Sequence, residues 1–198
     1  DSAGFFVESN IALGFRRLSI IDLDGGSQPI TNEDDTLVIT FNGEIYNYKE
    51  LRAKLIEKGH TFKTNADTEV ILHGFEEYGE NVVPMLRGMF AFVIFNKKTN
   101  ELFGARDYFG IKPFYYTIMD GAFIFGSEIK SFLKHPKFKK ELNKDALKMY
   151  LIFQYSVLEE TFFKNVYKLK QGHYFKYKNN TLEIKQYFTP EYQSKDME

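Results

Sequence analysis

Two apolar runs restrict the fold of this chain more than anything else in it: Leu37-Val38-Ile39 within Thr36–Asn42, and the segment Met89–Phe95. Successive side chains of a strand point to opposite faces, so apolarity without alternation demands burial on both faces. A sheet built on these strands has to lie between covering layers. Further strands are predicted at Phe5–Val7, Ile11–Leu18, Glu101–Arg106, Phe114–Ile118, Phe123–Phe125, His173–Lys178 and Leu182–Tyr187. Asp120-Gly121 and Asn179-Asn180 supply hairpin turns. Helical spacing appears from about Asn47 to Lys58, with Tyr48, Leu51, Leu55 and Ile56 on one face and Gly59 as the stop. A second helix is expected from about Asp67 to Tyr78, capped by Asp67 or Asn65. A short helix at Ile129–Leu133 and a longer one at Asp145–Phe153, capped by Asn143, complete the pattern. Antiparallel hairpins with helices gathered in groups predict an α+β fold. Periodicity allows a four-layer stack, helices outside two sheets, without requiring it.

A length of 198 residues with 43% hydrophobic content suits one domain, read here as residues 1–188. Residues 189–198 are polar and aperiodic, a tail or the start of a linker. Lys plus Arg number 26 against 27 Asp plus Glu, so no basic excess points to nucleic acid. No stretch approaches the ~18 apolar residues of a membrane span, and no secretory pattern is present. A soluble cytoplasmic protein is the expectation. The absence of cysteine excludes disulfides and thiolate metal sites. His60, His73, His135 and His173 are scattered without helical ligand spacing, so no metal is expected. No P-loop, G-x-G-x-x-G or G-x-S-x-G motif occurs. Asp1-Ser2-Ala3-Gly4 carries no initiator Met and runs directly into a strand, so material upstream is expected.

The chemistry concentrates near Asn42-Gly43-Glu44-Ile45-Tyr46-Asn47. An Asn side-chain amide followed by a Gly main-chain N–H offers two donors to one oxygen, the equipment of an oxyanion hole. Arg17 has the planar fork that captures a carboxylate. Glu44 and Asp67 are acceptors for an ammonium group. Together these describe a site for an α-amino acid whose side-chain amide is cleaved. Singly, each has a plainer role: Arg17 as a surface ion-pair residue, Asp67 as a helix cap, Asn42-Gly43 as a turn. Arg106-Asp107 and Glu128 are expected to tie strand ends together rather than act as an acid–base set.

The chain resembles the N-terminal glutaminase domain of asparagine synthases, the class II amidotransferases with an N-terminal nucleophile. The resemblance rests on Phe15-Arg16-Arg17-Leu18-Ser19-Ile20-Ile21-Asp22, Gly26-Ser27-Gln28-Pro29, Phe41–Asn47, Asp67-Thr68-Glu69-Val70-Ile71, Leu86–Phe92, Arg106-Asp107 with Gly110–Pro113, and Gly126–Lys130. It implies a four-layer α-β-β-α sandwich of two antiparallel sheets, of the Ntn-hydrolase type. It implies that Arg17 binds the α-carboxylate of L-glutamine and that main-chain groups of Leu18, Ser19, Ile20 and Ile21 line the pocket. Asn42 and Gly43 would form the oxyanion hole, Glu44 and Asp67 would hold the α-ammonium, and Met89 falls at a tunnel-wall position. No cofactor is implied for this domain. ATP and Mg²⁺ belong to a C-terminal synthetase domain of the same polypeptide, which would use the released ammonia to convert aspartate to asparagine.

Two departures matter. Position 15 is often His in the family and is Phe here. The family's nucleophile is an N-terminal Cys on a strand leading to an Arg-Gly-Pro-Asp loop, and Asp1-Ser2-Ala3-Gly4 looks like the tail of that loop. The first strand is therefore expected to be missing and the fragment inactive. The sheet edge this leaves invites pairing with a second copy as a homodimer. Rival readings are an amidotransferase domain serving another acceptor and a non-catalytic glutamine-binding or interaction module of the same fold.

Overall fold

The computed structural model describes residues 2–8, 10–17, 27–156 and 158–191, with Ser2 and Arg17 described by backbone alone. In chain order the elements are β1 (Ser2–Glu8), β2 (Ile11–Arg17), β3 (Ile30–Thr31), β4 (Leu37–Ile45), α1 (Tyr48–Glu57) and α2 (Thr68–Tyr78). They continue as β5 (Gly88–Asn96), β6 (Glu101–Arg106), β7 (Tyr115–Met119), β8 (Ala122–Gly126), α3 (Lys144–Phe153), β9 (Tyr167–Lys168), β10 (His173–Lys178) and β11 (Thr181–Gln186). Two 3₁₀ segments, Gly79–Met85 and Ile129–Lys134, connect them. The predicted short helix at Ile129–Leu133 is the second of these. Two-residue β3 and β9 were too short to show in a periodicity, and residues 192–198 of the expected tail lie outside the described residues.

The two apolar runs lie side by side. β4 pairs antiparallel with β5 from Leu37 opposite Asn96 to Ile45 opposite Gly88, at the heart of a six-stranded sheet ordered β11-β10-β6-β5-β4-β3. Alternate residues go to opposite faces. Ile39, Phe41, Ile45, Phe90, Phe92 and Ile94 pack against Leu51 and Leu55 of α1 and Val70, Ile71 and Leu72 of α2. Val38, Ala91, Val93 and Phe95 pack on the other side with Leu13 of β2, with Phe114 just before β7 and with Tyr116 within it. Burial on both faces is thus what the unbroken apolarity serves, each large side chain contributing roughly 1.5–3 kcal/mol. Ile56 departs from the predicted helix face. It is 52% exposed, because the stripe that meets the sheet runs through Leu51 and Leu55.

The second β layer comes in two pieces, the hairpin β1–β2 and a three-stranded sheet ordered β8-β7-β9. The β7–β8 turn places Asp120 and Gly121 at positive φ, and the β10–β11 turn does the same with Asn179 and Asn180, as the hairpin dipeptides predict. Asn143 caps α3, its Oδ1 accepting from Asp145 N at 3.2 Å and Ala146 N at 3.1 Å. The architecture is an α+β sandwich of antiparallel sheets with helices packed on the six-stranded sheet.

Where β4 leaves the sheet, two glycines let the strands close up. A Cβ on Gly88 would sit 2.1 Å from the Glu44 carbonyl oxygen, and one on Gly43 would sit 2.1 Å from that of Met89. Backbone, not a flexible side chain, is the obstacle. Gly88→Ala is therefore expected to lower the urea midpoint, destabilising by about 1–3 kcal/mol as overpacking does; an unchanged midpoint would show that the strands do not approach this closely.

Candidate functional site

Asn42-Gly43 is not a turn. Both residues lie within β4, which runs three residues beyond the predicted end at Asn42. Alternation along an antiparallel strand sends the N–H groups of residues 41, 43 and 45 to the same edge. Phe41 is held there by the Gln28 side chain, which accepts from Phe41 N at 2.6 Å and donates to Phe41 O at 3.0 Å. Ile45 N donates to Asp67 Oδ2 at 2.8 Å. Gly43 sits between them. Its partner across the ladder, Phe90, turns both backbone groups away, accepting from Asp107 N at 2.8 Å and donating to Asp107 Oδ2 at 3.2 Å. The N–H of Gly43 therefore points out of the sheet between two occupied positions.

Asp67 occupies the N-cap position of α2 but makes no capping hydrogen bond, since its carboxylate is turned to Ile45. The cap predicted from its residue type is thus only positional. Burial pushes its carboxyl above the ordinary 3.8; the Ile45 N–H opposes this and the Glu44 charge adds to it. Among the described residues Glu44 makes no ion pair and the Asn42 side chain no hydrogen bond. The fold brings Asn42, Gly43, Glu44 and Asp67 to one end of β4. Met89, opposite Glu44, is half-buried beside them.

Residues given no catalytic part by their sequence pattern hold this end in place. Asn47 donates through Nδ2 to Met85 O at 3.0 Å and accepts from Arg87 N at 2.9 Å, joining the exit of β4 to the entry of β5. Asp107, 1% exposed, also accepts from Phe109 N, Ile111 N and Lys112 N. Arg106 donates to the carbonyls of Lys112, Leu169 and Gly110. The pair ties strand ends together as expected. Glu128 is exposed and paired with Lys130. Gln28 is the member that could have been noticed, because a buried side-chain amide beside a strand is well suited to imitating a neighbouring strand.

Beside Asn42 lies a cavity of about 260 Å³. Its floor is Thr40–Asn42 of β4 and Ala91–Val93 of β5, and its sides are Ala12–Phe15 of β2 and Phe123–Gly126 of β8. Among the described residues β2 pairs only with β1 and β8 only with β7, so two unpaired strand edges face this space. Arg17 is two residues past Phe15 at the end of β2, and its backbone pairs with Ser2. Its side chain is not described, and Leu18, Ser19, Ile20 and Ile21 lie outside the described residues. The scatter of histidines proves to be a property of the sequence alone: His60 and His73 stand with ring centroids 5.3 Å apart.

The family model for the glutamine amidotransferase domain matches residues 1–188. The chain belongs to the glutamine amidotransferase domain family. It is 48% identical to asparagine synthetase [glutamine-hydrolyzing] 1 of Bacillus subtilis over 175 residues, covering 88% of this chain and 28% of the relative. Identity to asparagine synthetase [glutamine-hydrolyzing] 2 of the same organism is 43% over 190 residues, 93% of this chain and 25% of the relative. The chain thus spans about a quarter of the length of these curated relatives. The solved structure of glutamine phosphoribosylpyrophosphate amidotransferase from B. subtilis, complexed with ADP and GMP, matches with a TM-score of 0.63 at 21% identity. It covers 90% of this chain and 35% of that one, and shows the fold.

In this amidotransferase domain the raised pKa of Asp67 gives stability a definite pH dependence. Below 3.8 the carboxyl is protonated in both folded and unfolded chains; above it the unfolded chain releases its proton first. The stability of the native domain relative to Asp67→Asn should therefore fall as pH rises from 3.8 to the higher folded value. Paired urea titrations across that window check this, and a relative stability that rises with pH would contradict it.

Proposed function

We propose that the end of β4 is the substrate half of a glutaminase site. Its substrate is L-glutamine. Asn42 Nδ2 and the Gly43 N–H receive the oxyanion that forms when the side-chain amide is attacked. Glu44 and Asp67 take the α-ammonium, and a cation beside Asp67 offsets the cost of burying its charge. Arg17 takes the α-carboxylate, with the main chain of Leu18 to Ile21 as a further wall. The observation that carries this reading is the outward N–H of Gly43, flanked by Asn42, Glu44 and Asp67.

These 198 residues hold no thiol. The nucleophile is a Cys on an extended segment that pairs with β2 and β8 above the β4–β5 floor, which brings it alongside Asn42. Its thiolate attacks the amide carbon, the C–N bond breaks, ammonia leaves, and water hydrolyses the thioester to glutamate. The same two edges are where a second copy of the chain would pair. In the whole polypeptide a C-terminal synthetase domain uses the ammonia to make asparagine from aspartate with ATP and Mg²⁺.

The 198-residue chain alone should release no ammonia from glutamine. In the full-length protein, glutamine-dependent ammonia release should fall by about 10²–10³ in kcat on Asn42→Ala, the cost of losing one oxyanion donor. Ammonia release by the chain alone, or full activity in the variant, would overturn the proposal.

A further inference from the structure

We propose that Glu33, His60, His73 and Glu76 form a binding site for a divalent transition-metal ion of the zinc type, separate from the glutaminase site. Glu33 lies between β3 and β4, His60 between α1 and α2, and His73 and Glu76 one turn apart on α2. One ligand atom from each lies within 4.8 Å of all the others. His73 Nδ1 is 3.1 Å from Glu33 Oε2 and 3.7 Å from Glu76 Oε2. His60 Nδ1 is 3.5 Å from Glu33 Oε1 and 3.8 Å from Glu76 Oε2. A tetrahedron with zinc bonds of about 2.0–2.2 Å has edges of about 3.3–3.6 Å, and these four contacts, which use both Glu33 oxygens, each lie within a few tenths of an ångström of that span.

A second observation points the same way. His73 is 1% exposed, and among the described residues neither of its ring nitrogens has a hydrogen-bond partner, although Nδ1 is so close to Glu33. Proximity without hydrogen-bond alignment is what results when atoms aim at a common centre rather than at one another. An ion there would satisfy Nδ1, which burial otherwise leaves unpaired. His60 adds the support that metal-bound imidazoles commonly have: its other nitrogen, Nε2, is 3.3 Å from Glu77 Oε2, which leaves Nδ1 to face the cluster. Glu77 is in turn held by Lys58 Nζ at 2.7 Å.

Two carboxylates and two neutral imidazoles balance a dication. Nitrogen donors favour zinc-like ions over the hard cations that prefer oxygen alone. Four protein ligands close the coordination sphere, so the ion would be structural, clipping the β3–β4 and α1–α2 connections to the helix whose first residues carry Asp67 to the substrate site.

The test uses the 198-residue chain, stripped with a chelator and titrated with ZnCl₂ by calorimetry and thermal unfolding, with Co²⁺ as a spectroscopic probe. One zinc per chain, a higher thermal midpoint with zinc and a tetrahedral Co²⁺ spectrum are expected. Because removing buried His73 can damage folding, the decisive variants are Glu33→Gln, which keeps an acceptor for Thr61 N, and Glu76→Gln. Each should weaken zinc binding by more than tenfold with the far-UV spectrum unchanged, and Glu77→Gln by about tenfold. His135→Ala and His173→Ala should bind as the parent does. No zinc retained, or binding that survives Glu33→Gln and Glu76→Gln together, would overturn the proposal.

Discussion

The close approach of β4 and β5 at Gly43 and Gly88 is the constraint on which the rest of the site depends. Neither position has room for a Cβ, because each would meet a carbonyl oxygen of the facing strand at 2.1 Å. The ladder is locked from both sides. Asp107 takes the two backbone groups of Phe90 on the β6 side, and on the outer side Gln28 takes both groups of Phe41 and Asp67 the N–H of Ile45. With its neighbours so fixed, the Gly43 N–H cannot rotate inward to find a partner. On the function proposed above, a donor without a partner among the described residues is thereby held ready for a substrate oxygen, and preorganisation of this kind is what gives an oxyanion hole its effect.

The apolar core supplies the rigidity. Phe90 and Phe92 lie on the helix-covered face of β5, while Ala91 and Val93 on its other face form part of the cavity floor. One strand thus serves packing on one side and the site on the other. Asp67 links packing and site, since the helix it begins buries Val70, Ile71 and Leu72 while its own carboxylate fastens Ile45, the last residue of β4. Membership of the glutamine amidotransferase domain family rests on residues 1–188 as a whole, and the geometry at this end of β4 rests on its own contacts.

Much of this was legible in the residues. Unbroken apolarity at Leu37-Val38-Ile39 and Met89–Phe95 announced a sheet buried on both faces, and Asp120-Gly121 and Asn179-Asn180 announced their hairpins, because local sterics decide those features. The convergence of Asn42 with Asp67 was not legible. It depends on α2 packing back onto β4, and spacing along a chain says nothing of that. Asp67 shows the limit well: residue type gave a helix cap, while a longer-range partner, Ile45 N, captured the side chain. Asp107 was equally hidden, since it acts by replacing a backbone partner that only the folded sheet reveals. The gathering of His60 and His73 is of the same kind.

The central claim concerns one N–H group, and amide hydrogen exchange followed by NMR reads it directly. The Phe41 and Ile45 amides, bonded to Gln28 and Asp67, should exchange slowly, and the Gly43 amide between them should exchange rapidly. Protection of Gly43 equal to that of its two neighbours would mean that its donor is already occupied, and the account of this site would fail.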